Sequence, residues 1–299
     1  MKTGIIGAGA MGSIFSFFFN KANLDFNIYD HTKQSVDILK SGLNVVVDGK
    51  SELININISN NTDILNDCDI IFLFVKSYST EEAMRDVITA LSKNSIIVTL
   101  QNGIGNMEII SEFIPDDRIV YGSTSIGATK INPNTIKLGG FGDNIIGGNN
   151  IDSVNSVENI LKLANLNVII SDKPNETIWK KVIVNAGINP LGAIFSIPNG
   201  KIIENKHSLK IQEEIVRESV KIASKMDINM NPDEMVKLTR DVCKKTSANL
   251  CSMLQDVNAK RKTEIDSING TIIKYGKEKS IAAPYNEVIY HIIKAKEAF

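Results

Sequence analysis

The sequence is poor in the side chains that mark a disulfide scaffold or a metal centre. Cys68, Cys243 and Cys251 are the three cysteines of 299 residues. They are too few and too scattered for a disulfide framework, and their odd number suits a reducing compartment. No C-x-x-C occurs, and His31, His207 and His291 lie far from one another, so no zinc-ligand spacing is present and no metal is expected. An excess of one charge is missing too: 33 Lys+Arg stand against 34 Asp+Glu, a formal net charge of −1. Nucleic-acid binders carry a basic excess or stripe, and binders of anionic membranes a polybasic cluster; neither partner is expected. No apolar run approaches the roughly 18 residues of a membrane span, and the longest, Ile70–Val75, is strand-sized. Thr3 to Phe19 is uncharged and apolar enough to imitate a signal peptide. It opens on a β-like run, however, continues into three spaced glycines, and no small-x-small cleavage site follows Phe19. A cytoplasmic protein is expected.

What is present is a large core's worth of apolar residues. At 43% hydrophobic and 22% charged the chain is not disordered, and at about 150 residues per domain its length predicts two domains. Lys2–Ile6 reads as a strand, and Met11, Ile14, Phe15, Phe18, Phe19 and Ala22 fall at helical spacing. A second strand is predicted at Phe26–Tyr29 and a helix from Lys33 to Leu39. Leu43–Val47 and Leu53–Ile58 flank Asp48-Gly49, a hairpin signal. Ile70–Val75 and Ser95–Leu100 read as strands buried on both faces, with helices at Glu81–Leu91 and Asn106–Phe113. Alternation of this kind predicts a parallel sheet with helices on both faces. Ile119 to Gly148 reads as antiparallel strands completing that sheet, followed by a helix at Ser153–Ala164 and a strand at Asn167–Ile170.

Ser171-Asp172-Lys173-Pro174-Asn175 is the best domain boundary. The fold class predicted is α/β: a Rossmann-like dinucleotide-binding domain over residues 1–171, then an all-helical substrate and catalytic domain over residues 172–299. In the second half, helices are expected at Glu176–Ile188, N-capped by Asn175, and at 211–226, 233–243, 249–258, 264–277 and 285–296.

Gly7-Ala8-Gly9-Ala10-Met11-Gly12 fits G-x-G-x-x-G, and it has the context that gives the pattern meaning, after a strand and opening a helix. Gly7 serves the turn, Gly9 lets the backbone approach a pyrophosphate, and Gly12 lets helix and strand pack; the helix N-terminus offers N–H groups to the phosphates. Asp30 ends the second strand. A carboxylate there can accept from the adenosine ribose hydroxyls and repels a 2′-phosphate, which favours NAD over NADP. His31 and Lys33 could instead serve a 2′-phosphate if Asp30 turns away, and Asp30 could be a turn or N-cap residue only.

Lys181, Asn185 and Asn189 are spaced i, i+4, i+8 in an apolar helix. Each step of four drifts only about 40°, so one stripe carries all three. A cation and two amides on such a stripe suggest a polar cleft wall; the alternative is a solvent-facing stripe. Pro190 is expected to kink or end the helix, and Lys180, about 100° away, to face solvent. Ser252, Glu264 and Asp266 form a second polar set that on its own would mean little.

These residues together resemble the ketopantoate reductases (2-dehydropantoate 2-reductases), from Lys2 to about Ala295. The marks are the glycine turn, Val75-Lys76, Gln101-Asn102-Gly103, the Lys181 to Leu191 stretch, Pro198-Asn199-Gly200, and Ser252 to Asp256 leading to Glu264 to Gly270. The resemblance implies reduction of 2-dehydropantoate to (R)-pantoate with NAD(P)H, a step of pantothenate and coenzyme A biosynthesis. It implies that Lys181 is the catalytic lysine, with Glu264 beside it. It further implies that Asn102, Asn185, Asn189, Asn199 and Ser252 bind substrate, and that Lys76, Asn102, Ala128 and Glu264 join residues 7–12 and Asp30 around the cofactor.

One departure matters. Many members carry a basic residue just after the second strand for NADP, where this chain reads Tyr29-Asp30-His31. Asp30 leans the expectation to NAD(H), against the family habit of NADPH. Relatives with an acidic residue there resemble NAD-dependent D-2-hydroxyacid dehydrogenases acting on bulky 2-oxo acids, which is the second reading. A non-catalytic dinucleotide sensor is a third, opposed by the intact Lys181, Asn185, Asn189 and Glu264 set. The partner expected is a small 2-oxo acid. A helical half can offer a dimer face, so a homodimer is compatible with the sequence, but no stripe is diagnostic of one.

Overall fold

The computed structural model describes residues 1–299. In chain order the elements of the first half are β1 (Thr3–Ile6), α1 (Ala10–Lys21), β2 (Phe26–Tyr29), α2 (Lys33–Leu39), β3 (Leu43–Val47), β4 (Lys50–Ile54), β5 (Ile58–Ser59), β6 (Ile70–Leu73), α3 (Thr80–Val87), β7 (Ile96–Thr99), α4 (Asn106–Ser111), β8 (Ile119–Thr124), β9 (Gly127–Asn132), β10 (Thr135–Gly140), β11 (Asn144–Gly148), α5 (Ile151–Leu163) and β12 (Val168–Ile170). Then follow α6 (Pro174–Phe195), α7 (Asn199–Glu204), α8 (Lys206–Ala223), α9 (Pro232–Lys245), α10 (Ser252–Asn258), α11 (Thr271–Glu278) and α12 (Pro284–Ala298). The chain forms two compact units: Met1–Gln101 with Asn106–Pro174, and Asn102–Gly105 with Asn175–Phe299. The fold class is the one predicted, an α/β unit with a Rossmann-like parallel sheet followed by helices.

The first unit is built on an eight-stranded sheet of order β12-β11-β8-β7-β6-β1-β2-β5. From β8 through β5 every pair is parallel, and β11 runs antiparallel to β8. The central strands are apolar because both faces are covered: Ile5, Ile28, Ile70, Phe72 and Val98 have no exposed surface. The chain leaves β1 toward β2 on one side and returns to β6 on the other, so β1/β6 is a switch point. At such points the carboxyl ends of the strands open a ligand crevice.

A second sheet, β4-β3-β10-β9, lies against α1. The helix is therefore apolar on more than one side, with Phe15, Phe17, Phe18 and Phe19 all buried. Phe15 packs tilted against Phe74, ring centroids 4.5 Å apart, while Phe18 meets Phe141 at 6.0 Å. Burial on two sides is what lends Thr3–Phe19 its resemblance to a signal segment.

The second sheet corrects two expectations. β9 and β10 do not complete the main sheet; they pair with each other antiparallel, and β10 also pairs in parallel with β3, because α1 needs a second apolar cover. Nor does the hairpin's second strand run from Leu53 to Ile58. It is Lys50–Ile54, and Ile58–Ser59 joins β2 in the main sheet. Asn57 makes the transfer: its carbonyl accepts the Ile28 N–H (2.8 Å) and its amide donates to Asn27 Oδ1 (2.6 Å).

The second unit packs helices around Trp179, Ile183, Leu191, Ile215, Val216 and Ile272. Here α6 differs from the expectation at both ends. It starts at Pro174, a residue suited to a first turn, rather than after an Asn175 cap, and it passes through Pro190 to Phe195. Pro190 removes one backbone donor. In the same turn Gln212 Nε2 donates to the Gly187 carbonyl (3.3 Å), and Leu191 and Ala193 are fully buried, so packing carries the helix past the gap. Two further helices start later than predicted. α10 begins at Ser252, capped by Cys251, and the segment after Glu264 is a π-helical turn, Asp266–Gly270, leading into α11. No helix is long and apolar enough to cross a membrane.

Candidate active site

Within the first unit the candidate residues gather at the carboxyl ends of adjacent strands. Gly7, directly after β1, has φ +96°, the left-handed region that glycine enters freely. A Cβ on Gly12 would lie 2.0 Å from the Gly7 carbonyl oxygen, whereas one on Gly9 would meet nothing within 4 Å. Gly12 is thus a packing glycine and Gly9 borders open space. α1 has no side-chain cap and no acidic residue in its first turn; its first intrahelical bond is from Ser13 N–H to the Gly9 carbonyl (3.0 Å). Uncapped N–H groups beside an open cradle fit a pyrophosphate.

Asp30 follows β2 and reaches back into this turn. Its Oδ2 accepts the Ala8 N–H (2.8 Å) and its Oδ1 the Thr32 N–H (2.9 Å). The two readings of Asp30, turn former and ribose acceptor, meet in one carboxylate, since each oxygen retains acceptor capacity. The side chain is 12% exposed, while His31, with Nδ1 4.0 Å away, is 74% exposed. Lys76, half-buried, follows β6 and precedes a 3-10 turn at Ser77–Ser79. Gln101 fixes the loops here: its Nε2 donates to the Val75 carbonyl (2.7 Å) and to Thr80 Oγ1 (3.0 Å). Ala128 sits half-buried on β9, opposite Leu138.

Within the second unit, the α6 stripe carries Lys181 and Asn185 half-buried and Asn189 buried, while Lys180 is exposed and pairs with Glu176 (3.4 Å). Burial strips the Lys181 ammonium of hydration and lowers its pKa to about 8, against the opposing pull of the Glu264 carboxylate. Glu264 is itself buried and accepts from Asn102 Nδ2 (3.3 Å). Asn102 arrives there because residues 102–105 belong to this unit. The Ile104 N–H donates to the Ser267 carbonyl (3.1 Å). Gly103, at φ +94°, approaches Ser267 so closely that a Cβ would lie 2.6 Å from its Cβ and Oγ.

Residues 246–252 tie the remaining candidates together. Asn199 Nδ2 donates to Thr246 Oγ1 (2.9 Å) and Asn199 N–H to the Asn249 carbonyl (3.0 Å). Cys251 caps α10 by accepting the Leu254 N–H (3.4 Å), and its thiol donates to the Asn189 carbonyl (3.3 Å). Ser252, exposed, is the first residue of α10. Asp266, paired as a candidate with Glu264 in sequence, belongs to a different network, with Tyr290 Oη (2.9 Å) and Lys294 Nζ (3.2 Å). The three histidines are exposed. Sequence reasoning did not single out Gln101, Thr246 or Cys251 as site residues. Each works through a backbone or amide partner far away in sequence, and only the Gln101-Asn102-Gly103 motif carried a local signal.

A buried lysine with lowered pKa beside a carboxylate can donate a proton near neutral pH, and the amides around it can hold a polar anion. Comparison with known proteins agrees in family. The family model described as ketopantoate reductase PanE/ApbA matches residues 3–150, and its C-terminal counterpart matches residues 174–297. The 2-dehydropantoate 2-reductase of Pyrococcus horikoshii is 35% identical, covering 100% of this chain and 98% of its own. The structure of D-mandelate dehydrogenase with NADH and anilino(oxo)acetate is 28% identical, with TM-score 0.95 over 100% of this chain and 99% of that one. A PanE/ApbA family ketopantoate reductase from Ralstonia eutropha, 22% identical, shares the fold with TM-score 0.91, over 100% of this chain and 99% of that one. The chain belongs to the ketopantoate reductase PanE/ApbA family.

Proposed function

We propose that this protein is a 2-dehydropantoate 2-reductase, reducing the 2-oxo acid to (R)-pantoate with a nicotinamide dinucleotide. The observation that carries this reading is Lys181, half-buried on the apolar helix α6, where burial lowers its pKa to about 8 against the opposing pull of the Glu264 carboxylate. Residues 1–171 take the cofactor in this reading, and residues 172–299 the substrate. The buried free thiols suit a cytoplasmic location.

The dinucleotide, when bound, supplies the hydride. The chain's own residues do the rest. The turn at residues 7–12 receives the pyrophosphate on backbone N–H groups, and Asp30 receives the ribose hydroxyls. Lys181 Nζ donates a hydrogen bond to the ketone oxygen and stabilises the charge that builds there as the carbonyl carbon is reduced. It then passes its proton to that oxygen, giving the hydroxyl, and recovers one from solvent. Glu264 keeps Lys181 protonated against its burial, and Asn102 holds Glu264 in turn. Asn185, Asn189, Asn199 and Ser252 orient the carboxylate and hydroxyl of the substrate, which removes much of the entropic barrier. Lys76 and Ala128 border the cofactor.

NAD(H) is the preferred cofactor in this reading. The Asp30 carboxylate bound to the Ala8 N–H is an anion where NADP would bring a 2′-phosphate. The same residue, with the likeness to D-mandelate dehydrogenase with NADH, supports a second reading: a D-2-hydroxyacid dehydrogenase acting on a bulkier 2-oxo acid. A panel of 2-oxo acids assayed with NADH and with NADPH decides between them. Highest kcat/KM on 2-dehydropantoate supports the first reading, highest on an aryl 2-oxo acid the second, and turnover of none of them refutes both.

A further inference from the structure

Glu264 sits between two residues that are both anchored to α12. Before it, Thr263 has no exposed surface; its backbone N–H and its hydroxyl both donate to Glu297 Oε1, at 2.8 and 2.6 Å. The same hydroxyl accepts the Ile265 N–H at 3.2 Å, so one side chain spans the backbone on either side of Glu264. After it, Asp266 accepts from Tyr290 Oη (2.9 Å) and Lys294 Nζ (3.2 Å), with Lys262 at 3.6 Å. Lys294 also pairs with Glu297 Oε2 at 3.0 Å, and the Glu297 side chain is only 12% exposed. The Glu297 carboxylate is thus held directly by Thr263 and by Lys294 of its own helix, and Lys294, with Tyr290, also holds Asp266 on the far side of Glu264. The π-helical turn that follows, Asp266–Gly270, carries the Ser267 carbonyl that holds Ile104, two residues from Asn102. π-helical turns are rare, and those that occur are frequently at functional sites.

A carboxylate influences a neighbouring ammonium steeply with distance in a dry setting, so Glu264 serves Lys181 only if its backbone stays in register. We infer that Glu297, on the last turn of α12, is a positioning residue: through Thr263 it holds the Glu264 carboxylate at the distance from Lys181 that the proton donor requires. This rests on the functional reading of Lys181 above, but the contacts belong to the helical unit alone.

The test is a titration of Lys181 in the full-length protein, labelled with carbon-13 at lysine Cε and followed by NMR, the resonance being assigned by its loss in Lys181→Arg. Wild type is expected to titrate near 8. Glu297→Ala lowers the midpoint by about half a pH unit or more, and Glu264→Gln lowers it at least as far. The double variant titrates where Glu264→Gln alone does. Glu297→Gln is the control for charge. It keeps an oxygen to accept from Thr263 and restores a midpoint close to wild type. Should Glu297→Ala not fold, Thr263→Val removes the bridging hydroxyl alone and gives the same downward shift. An unchanged midpoint in a folded Glu297→Ala or Thr263→Val variant overturns the inference, as does an equal shift in Glu297→Gln or a further shift in the double variant. In turnover, Glu297→Ala lowers kcat about tenfold with little change in KM for the 2-oxo acid. If wild type turns over no 2-oxo acid, the functional reading fails and the titration still decides the positioning role.

Discussion

Two influences from its own unit oppose each other on the Lys181 ammonium: burial lowers its pKa, and the Glu264 carboxylate raises it, leaving it at about 8 rather than 10.5. Lys181 is half-buried and Glu264 buried, so their interaction is screened far less than a surface pair.

A proton donor with that pKa sets the pH dependence of reduction. With Lys181 as the proposed donor the rate follows the protonated amine, so kcat/KM in the reductive direction is expected to fall as pH rises through about 8. Glu264→Gln removes the raising influence and moves this limb to lower pH. The sign for stability is the reverse of that for rate. Between about 8 and 10.5 the unfolded chain keeps a proton that the folded chain has released, so the contribution of Lys181 to stability grows as pH rises through that window. Lys181→Met removes the burial penalty, and its thermal midpoint at pH 7 lies above that of wild type. Rate profiles and melting curves across pH check both statements.

In the proposed reading cofactor choice turns on Asp30, whose carboxylate is fixed by the Ala8 and Thr32 N–H groups and would oppose a 2′-phosphate. Asp30→Ala shifts the ratio of kcat/KM for NADPH over NADH upward by about tenfold, a change worth about 1.4 kcal/mol. The ratio is read from initial rates with each cofactor; a ratio that does not move removes Asp30 from the ribose role.

The glycines of the turn divide by function, and alanine separates them. Gly12→Ala places a Cβ 2.0 Å from the Gly7 carbonyl oxygen and destabilises the fold by about 1–3 kcal/mol or more. Gly9→Ala meets no protein atom within 4 Å and has φ −71°, so it melts as wild type does, yet weakens dinucleotide binding by about tenfold or more because the Cβ enters the pyrophosphate's space. Thermal melts and a dinucleotide titration of both variants distinguish the two effects.

Much of this was legible in the sequence because its signals are local. β2 and α2 begin and end where apolar period and flanking residues place them, and the glycine turn carries its context within a few residues. What escaped reading depends on distance along the chain. β3 and β10 pair in parallel although six strands and two helices, β4 to β9 with α3 and α4, lie between them in the chain, and nothing in either strand names its partner. Pro190 reads as a kink or an end of the helix until the buried Leu191 and Ala193 and the Gln212 amide are seen to carry α6 onward. Asn102 to Gly105 read as a loop of the first half, but their fit against Ser267 assigns them to the second unit. The Glu297–Thr263 contact joins an apparently ordinary helix end to the residue before Glu264.

The central claim is that Lys181 supplies the proton for reduction of a 2-oxo acid, and the most direct test is the initial rate of NADH oxidation with 2-dehydropantoate by wild type and by Lys181→Ala. Wild type is expected to consume NADH only when the 2-oxo acid is present, and Lys181→Ala to lose about 10²–10⁴-fold in kcat while keeping its fold. Turnover by folded Lys181→Ala at the wild-type rate would contradict the account.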